Sequence, residues 1–435
     1  MKKVITYGTF DLFHKGHMSL LERAKGLGDY LIVGVTSDSF DRERGKLNVR
    51  DSLAVRIESV RATGCADEII VEEYLGQKVS DVIRFGIDIF AIGNDWRGKF
   101  DYLSKYCEVV YLERTKGISS TDLREKSSDI LQLGIISDSP DDNGICNETN
   151  FVSGLELSGV FVSAGDGGDN EFVNDAAGAR EFLSRFDIAA VSNYPEQLFK
   201  KSDIIYIHTR RRYRFWFARA ALKAGCHVIC DFPLNKPEEA DELYDLVKNS
   251  GRVFVECLPL AYLRTFQQLI WLLHGGAIGQ ILSIDCSMPK MGNFRDCEAL
   301  AAFAITRILG VKCADIKRQS IRLRSRYDKV IFTYNDASAS CSVSDSNWLE
   351  PRMTILGTDG RIDIPGAWWN MSYFRLYTGG EEGLRHYSFN IEGSGFRYLL
   401  SETTQMITDG RAESLVLSRE DARDLTGFLE RGDML

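Results

Sequence analysis

The chain reads as an α/β protein: a doubly wound parallel sheet at the N-terminus, a second one after it, and a closing α+β part built on an open sheet. Three observations predict this. Apolar β-runs alternate with amphipathic helical stretches through the first 126 residues. The alternation restarts after a short polar joint, Lys126-Ser-Ser-Asp129. From about residue 280 the strands lengthen and become rich in Arg, Tyr and Ser. At 435 residues the chain is too long for one core. The expected division is 1–126, a linker at 127–130, a second sheet domain at 131–258 and the α+β part at 259–435.

Taken in order, Val4-Ile-Thr-Tyr7 is a strand and Met18 to Lys25 an amphipathic helix. Between them lies Gly8-Thr-Phe-Asp-Leu-Phe-His-Lys-Gly-His17. A strand, a tight glycine turn and a helix N-terminus aim unpaired N–H groups and the positive dipole end at one point, which suits an anion. Gly16 lets backbone approach a ligand there. The chain has only six histidines, and two of them, His14 and His17, stand at this turn. Taken alone, the turn is equally compatible with two solvated histidines. A second element shifts that balance. Cys107 to Leu112 is a strand, and Arg114-Thr-Lys-Gly-Ile-Ser-Ser-Thr-Asp-Leu-Arg124 follows it, with hydroxyls and N–H groups at a helix start and flanking arginines. Two such helix starts at the ends of parallel strands make a cradle for a triphosphate.

These residues resemble the nucleotidyltransferase superfamily that carries H-x-G-H and I-S-S-T-x-x-R signatures, and within it the glycerol-3-phosphate cytidylyltransferases. Gly93-Asn-Asp-Trp96 and Val109-Val-Tyr-Leu112 belong to the same match. The resemblance implies a Rossmann-like nucleotidyltransferase domain that condenses CTP with glycerol-3-phosphate, giving CDP-glycerol and pyrophosphate for a cell-surface polymer such as teichoic acid or capsule. It implies that His14, His17, Lys46 and Arg114 act in catalysis. Gly8, Thr9, Phe10, Asp11, Gly16, Asp95, Arg114, Thr115, Ser119 and Ser120 would hold the nucleotide, and Lys46, Arg56 and Trp96 the acceptor. Mg²⁺ is the expected cofactor, held mostly by water and phosphate. One position departs from the pattern: an arginine eight residues after Arg56 is replaced by Gly64, with Arg61 one helical turn earlier as the alternative. Ethanolamine phosphate and glycerol-2-phosphate therefore stay open as acceptors. Other readings of single residues also stay open: Asp95 and Trp96 as a strand-end turn, Lys46 as a solvated charge.

Residues 130–435 alternate again, with strands near Leu131, Gly159, Ile188, Ile204, His227 and Val253 and helices over Tyr213 to Lys223 and Pro237 to Lys248. This half resembles the glucose–fructose oxidoreductase and inositol dehydrogenase family through Ala220 to Cys230, Gly276-Ala-Ile-Gly279 and Ile355 to Pro365. That implies a second Rossmann-like domain and an α+β open-sheet subdomain. The functional positions depart from the family. Ser137-Asp-Ser-Pro-Asp-Asp-Asn-Gly144 replaces a glycine-rich turn, and its acids and proline oppose a pyrophosphate. The family's Glu-Lys-Pro becomes Asp231-Phe232-Pro233, and Leu300 stands where a catalytic histidine aligns. NAD(P) is therefore not expected. The half is read as structural, with a repurposed pocket for a sugar phosphate and a bifunctional dehydrogenase as alternatives. Arg210 to Arg214 is expected to be a solvated helix start, and Trp368 and Trp369 core or interface aromatics.

Composition narrows the classes. Apolar residues make up 44% and charged residues 26%, the balance of an ordinary globular protein. Net charge is −9, while residues 1–130 carry 20 Lys and Arg against 21 Asp and Glu. No basic face for nucleic acid is expected. No apolar run long enough for a membrane span and no leader is read, so a cytoplasmic protein with reduced cysteines is expected. The partners expected are CTP, a small phosphate ester and a second copy of the chain in a homodimer.

Overall fold

The structure is a computed structural model. It describes residues 1–43, 49–74, 76–113, 130–139, 144–152, 154–163, 175–186, 190–379, 383–389, 393–414 and 416–433. Two compact units emerge, one of residues 1–130 with 151–154, the other of 131–150 with 155–435.

The first unit is a five-stranded parallel sheet in the order β3-β2-β1-β4-β5. Its strands are β1 (Lys3–Gly8), β2 (Tyr30–Thr36), β3 (Glu68–Glu72), β4 (Ile89–Gly93) and β5 (Glu108–Leu112). Side chains alternate across a strand, so a parallel sheet covered on both faces needs apolar residues at consecutive positions. In β1, Val4 packs with Leu21, Ala24 and Val60 on one face, whereas Ile5 and Tyr7 pack with Ile32, Val82 and Phe90 on the other. The helices α1 (Lys15–Lys25) and α3 (Leu53–Ala62) thus cover the first face and α4 (Gln77–Phe85) the second; α2 (Asp38–Glu43) follows β2. Helix α1 starts three residues earlier than its apolar periodicity suggests, because His14 caps it: its Nδ1 accepts the Gly16 N–H at 3.0 Å.

The second unit holds two sheets. One is parallel, ordered β10-β9-β8-β6-β7, from β6 (Leu131–Ser137), β7 (Leu155–Val162), β8 (Ile204–His208), β9 (His227–Asp231) and β10 (Phe254–Cys257). The helices Arg211–Lys223 and Pro237–Ser250 cover one face through Phe217, Ala221, Leu243 and Val247. The expected strand near Ile188 reduces, among described residues, to a single bridge from Val191 to Val160. The other sheet has eight strands, all antiparallel neighbours except one parallel pair, Ile281–Pro289 beside Ser338–Ser344. The helix Phe294–Leu309 buries its alanine-rich face. The open-sheet subdomain is therefore present. All ten cysteines are free thiols, seven of them buried.

Candidate functional site

In the first unit the site grows from the turn between β1 and α1. Phe10 and Leu12 adopt left-handed backbone, at φ of 55° and 45°, a region that costs non-glycine residues free energy and persists only where packing imposes it. Burial of the Phe10 ring imposes it here. Gly8 is required beneath that ring, since a Cβ there would meet it at 3.0 Å. The turn is also tied down by its acids. Asp11 Oδ1 accepts the N–H groups of Arg50 and Asp51 at 3.0 and 2.9 Å, and Asp51 returns the bond by accepting the Leu12 N–H at 3.0 Å. Thr9 donates to Asp41 at 3.0 Å.

That bracing delivers the two histidines together. The His14 and His17 rings stack with centroids 3.9 Å apart and planes 22° from parallel. Phe10 and Phe13 each pack 5.5 Å from the His17 ring. His14 is nearly buried and holds the first turn of α1. Two imidazoles at a helix N-terminus form a compact donor pair for an oxyanion.

Of the residues expected at the site, Gly8, Thr9, Phe10, Asp11, His14, Gly16 and His17 come together in this one turn. Asp95 and Trp96 lie just past the carboxyl end of β4, the strand paired with β1; Lys99 Nζ sits 5.0 Å over the Trp96 ring. Arg56, expected to face the acceptor, lies at the start of the turn's support. Its side chain is wholly buried, donating to the carbonyls of Thr9 (2.7 Å), Thr36 (2.8 Å) and Asp51 (3.0 Å) and to Asp38 (2.5 Å). It braces the turn, because the helix that carries it packs on the same face of the sheet as α1. Arg61 is exposed and paired with Glu58. Lys46, Arg114, Thr115, Ser119 and Ser120 lie outside the described residues.

One cluster was not singled out from sequence. Lys78 pairs with buried Glu72, which accepts from Thr36 at 3.1 Å, while Tyr7 and Gln77 donate to Asp81 at 2.8 and 3.1 Å. Burial, then Asp81, pushes the Tyr7 phenol far above its ordinary range. The sequence signal was weak: polar residues at strand ends and in an amphipathic helix.

No group of three His, Cys, Asp or Glu residues able to hold a metal occurs among the described residues. Asp11, Asp38 and Asp41 are engaged by backbone N–H groups, Arg56 and Thr9. This donor set does not form a protein cage for a divalent cation.

In the second unit a cavity of about 500 Å³ opens at the carboxyl ends of β8 and β9. His208 Nδ1 lies 2.7 Å from Asp231, which also accepts from Tyr206 at 2.9 Å. Arg214, expected to be solvated, is buried and bonded to Asp296 at 2.8 Å. Burial alone would raise the Asp231 carboxyl, but His208, Arg214 and Tyr206 outweigh it and hold the group below its usual range. Phe232 and Leu300 line the space, as does Trp369. Trp368 is core: its indole donates to the Ser287 carbonyl at 3.0 Å.

Two family models match the chain. One, described as cytidylyltransferase-like, covers residues 5–126; the other, an oxidoreductase family with an NAD-binding Rossmann fold, covers residues 172–257. The glycerol-3-phosphate cytidylyltransferase of Bacillus spizizenii is 54% identical over 125 residues, 29% of this chain and 96% of that protein. Its Bacillus subtilis counterpart is 50% identical over 128 residues, 29% of this chain and 97% of that protein. An oxidoreductase from Agrobacterium radiobacter, solved with NAD+, L-tartaric acid and magnesium, matches with a TM-score of 0.55. It is 15% identical, and the match covers 70% of this chain and all of that one. At that identity the likeness is one of fold.

Proposed function

Because this chain belongs, through its N-terminal segment, to the cytidylyltransferase-like family, we propose that it condenses CTP with glycerol-3-phosphate, releasing pyrophosphate and CDP-glycerol. The observation that carries this reading is the stacked His14–His17 pair at the capped start of α1. An acceptor phosphate oxygen attacks the α-phosphorus in line. The acceptor is already an anion, so no general base and no covalent intermediate is required; positioning and neutralisation of spread charge do the catalysis. His14 and His17 stabilise charge growing on the α-phosphate. Gly8, Thr9, Phe10, Asp11 and Gly16 shape the turn around the triphosphate. Asp95 completes the nucleotide side, and Trp96 borders the acceptor. Arg56 acts through Thr9 by fixing its carbonyl. Lys46, Arg114, Thr115, Ser119 and Ser120 complete the site in this reading, the first beside the acceptor and the others over the nucleotide. Mg²⁺ would come with the triphosphate, held by phosphate oxygens and water.

The C-terminal unit keeps an oxidoreductase fold, and we read it as not binding NAD(P). Phe232 occupies the lysine position of the family pattern, and Leu300 the histidine position. The sheet-rich unit serves assembly, with the chain a homodimer. No described helix is long and apolar enough to cross a membrane, in keeping with a cytoplasmic enzyme. The test is a pyrophosphate-release assay on the full chain, with CTP or ATP against a panel of phosphate esters. Turnover restricted to CTP with glycerol-3-phosphate is expected. Turnover only with ethanolamine phosphate or glycerol-2-phosphate would replace the acceptor, and none with CTP would overturn the reading.

A further inference from the structure

At one end of the eight-stranded sheet two loops meet. The strands Asp315–Arg322 and Arg326–Thr333 pair antiparallel and turn over at residues 323–325. The strand Ser338–Ser344 lies beside Arg326–Thr333, with Tyr327 opposite Ser344, and leads through residues 345–351 into Arg352–Gly357. Two hydrogen bonds tie the loops together. The Arg326 N–H donates to Asp345 Oδ1 at 2.7 Å, and the Asp345 N–H to the Arg326 carbonyl at 3.3 Å. Each loop is also closed on itself. The Leu323 N–H donates to the Ser325 carbonyl at 3.1 Å, and the Trp348 N–H to the Ser346 hydroxyl at 3.3 Å.

These loops hold apolar side chains out into water: Leu323 is 86% exposed and Trp348 93%. A solitary exposed apolar side chain needs no explanation. A leucine and a tryptophan on two joined loops are a protruding pair, and internal hydrogen bonds keep its backbone in shape. Arg322 and Arg324 flank Leu323 and are exposed. The exposed Lys290 is brought to the same end, since its N–H donates to the Ser344 carbonyl at 2.7 Å, and Arg352 opens the strand after the second loop. The acids of that loop, Asp345 and Glu350, are outnumbered, and Asp345 already accepts from the Arg326 N–H. This corner is therefore basic on a chain whose net charge is −9. At physiological ionic strength charges more than about 8 Å apart are largely screened. An approaching surface meets the charge of the corner rather than that of the whole chain.

Shape and charge together select the partner. A protein would have to supply a pocket matched to the protruding pair, whereas the boundary between lipid headgroups and acyl chains takes up apolar side chains without one. Tryptophan settles at headgroup level, its ring among the chains and its N–H towards water. Arginines beside it then face the phosphate layer, and an anionic leaflet attracts each of them. A nucleic acid would engage the arginines and stack on Trp348, but would leave Leu323 in water. We propose that this corner docks the chain on an anionic lipid bilayer, with Leu323 and Trp348 entering the interface and Arg322 and Arg324 meeting headgroup phosphates. The chain lies on the bilayer and does not span it. Docking does not rest on cytidylyl transfer by the first unit.

Sedimentation of the full chain with lipid vesicles tests this. Vesicles of phosphatidylcholine mixed with phosphatidylglycerol should carry the chain down, and vesicles of phosphatidylcholine alone far less. Added salt should shrink the difference by shortening the screening length. Arg322→Gln combined with Arg324→Gln should weaken binding roughly 25-fold, about fivefold for each cation removed. Leu323→Ser combined with Trp348→Ser should weaken it about tenfold or more, and should remove the quenching of tryptophan emission by brominated acyl chains. All four positions are exposed, so melting temperatures should stay at that of the parent chain. The two double variants act separately, and either one decides if the other fails to fold. Failure to bind the anionic vesicles, or binding undiminished in a folded double variant, overturns the proposal. A chain that retards RNA in a gel and ignores the vesicles would assign the corner to nucleic acid instead. Loss of a dimer in Leu323→Ser with Trp348→Ser, vesicle binding being retained, would assign it to a second copy of the chain. Both outcomes contradict docking on lipid.

Discussion

Both units place polar groups at the carboxyl ends of a five-stranded parallel sheet, but they manage charge in opposite ways. In the first unit the acids are used up in bracing the chain: Asp11 holds the backbone of Arg50 and Asp51, while Asp38 and Asp41 meet Arg56. The imidazole pair and backbone N–H groups then stand at the helix start, the arrangement the proposed phosphate contact requires. In the second unit Arg214 is bonded to Asp296 and Arg397 to Glu148. A shared scaffold thus commits its charges differently in the two units.

The largest expected effect lies in the first unit. His14→Ala and His17→Ala should each lower the rate of CTP turnover by roughly two to three decades, the usual loss when one preorganised donor to an oxyanion is removed. A loss of less than about fivefold in both would remove the contrast between the two edges. Steady-state pyrophosphate release measures this.

Next comes the brace. Arg56→Met leaves Asp41 buried without its cation and three carbonyls without a donor. Destabilisation of about 3–5 kcal/mol is expected, read by chemical denaturation of the full chain. An unchanged transition would mean the guanidinium is not the support of the turn.

A third test concerns Glu256, buried in β10 without a hydrogen-bond partner among the described residues. Burial pushes its carboxyl up to about 8. Above its ordinary value near 4.5 the unfolded chain gives up this proton while the folded one keeps it, so stability falls as pH rises from about 4.5 to about 8. Glu256→Gln should flatten that slope, by up to about 4 kcal/mol across the window. Melting temperatures of the second unit between pH 5 and 8 check it, and an unaltered slope would count against the assignment.

The smallest effect is Trp368→Phe, which leaves the Ser287 carbonyl without its indole donor. A loss of about 1 kcal/mol is expected, again by denaturation. A change within error would show the bond to be energetically silent.

How much of this was legible in the sequence depends on the distance over which each feature is encoded. The turn and both histidines were readable because strand, glycine turn and helix start lie within about twenty consecutive residues, and local geometry alone sets their anion preference. The Arg56 brace was not. It joins a helix to the carbonyls of Thr9 and Thr36 on two other segments, and nothing in its own periodicity separates a buried guanidinium from one facing a ligand. The same holds for Asp11, whose partners are 39 and 40 residues away. Arg214 was misread as solvated since four arginines crowd its segment; only the fold distinguishes the one that reaches Asp296. The His208–Asp231 pair had a usable signal. Each ends a strand of the same parallel sheet, and Ile207 pairs with Cys230, so the next residues are neighbours.

The most direct test of the central claim is phosphorus NMR of the full chain with CTP, glycerol-3-phosphate and Mg²⁺. The CTP resonances are expected to give way to pyrophosphate and the paired signals of a CDP ester, with ATP left intact under the same conditions. Unconsumed CTP, or ATP consumed at an equal rate, would contradict it.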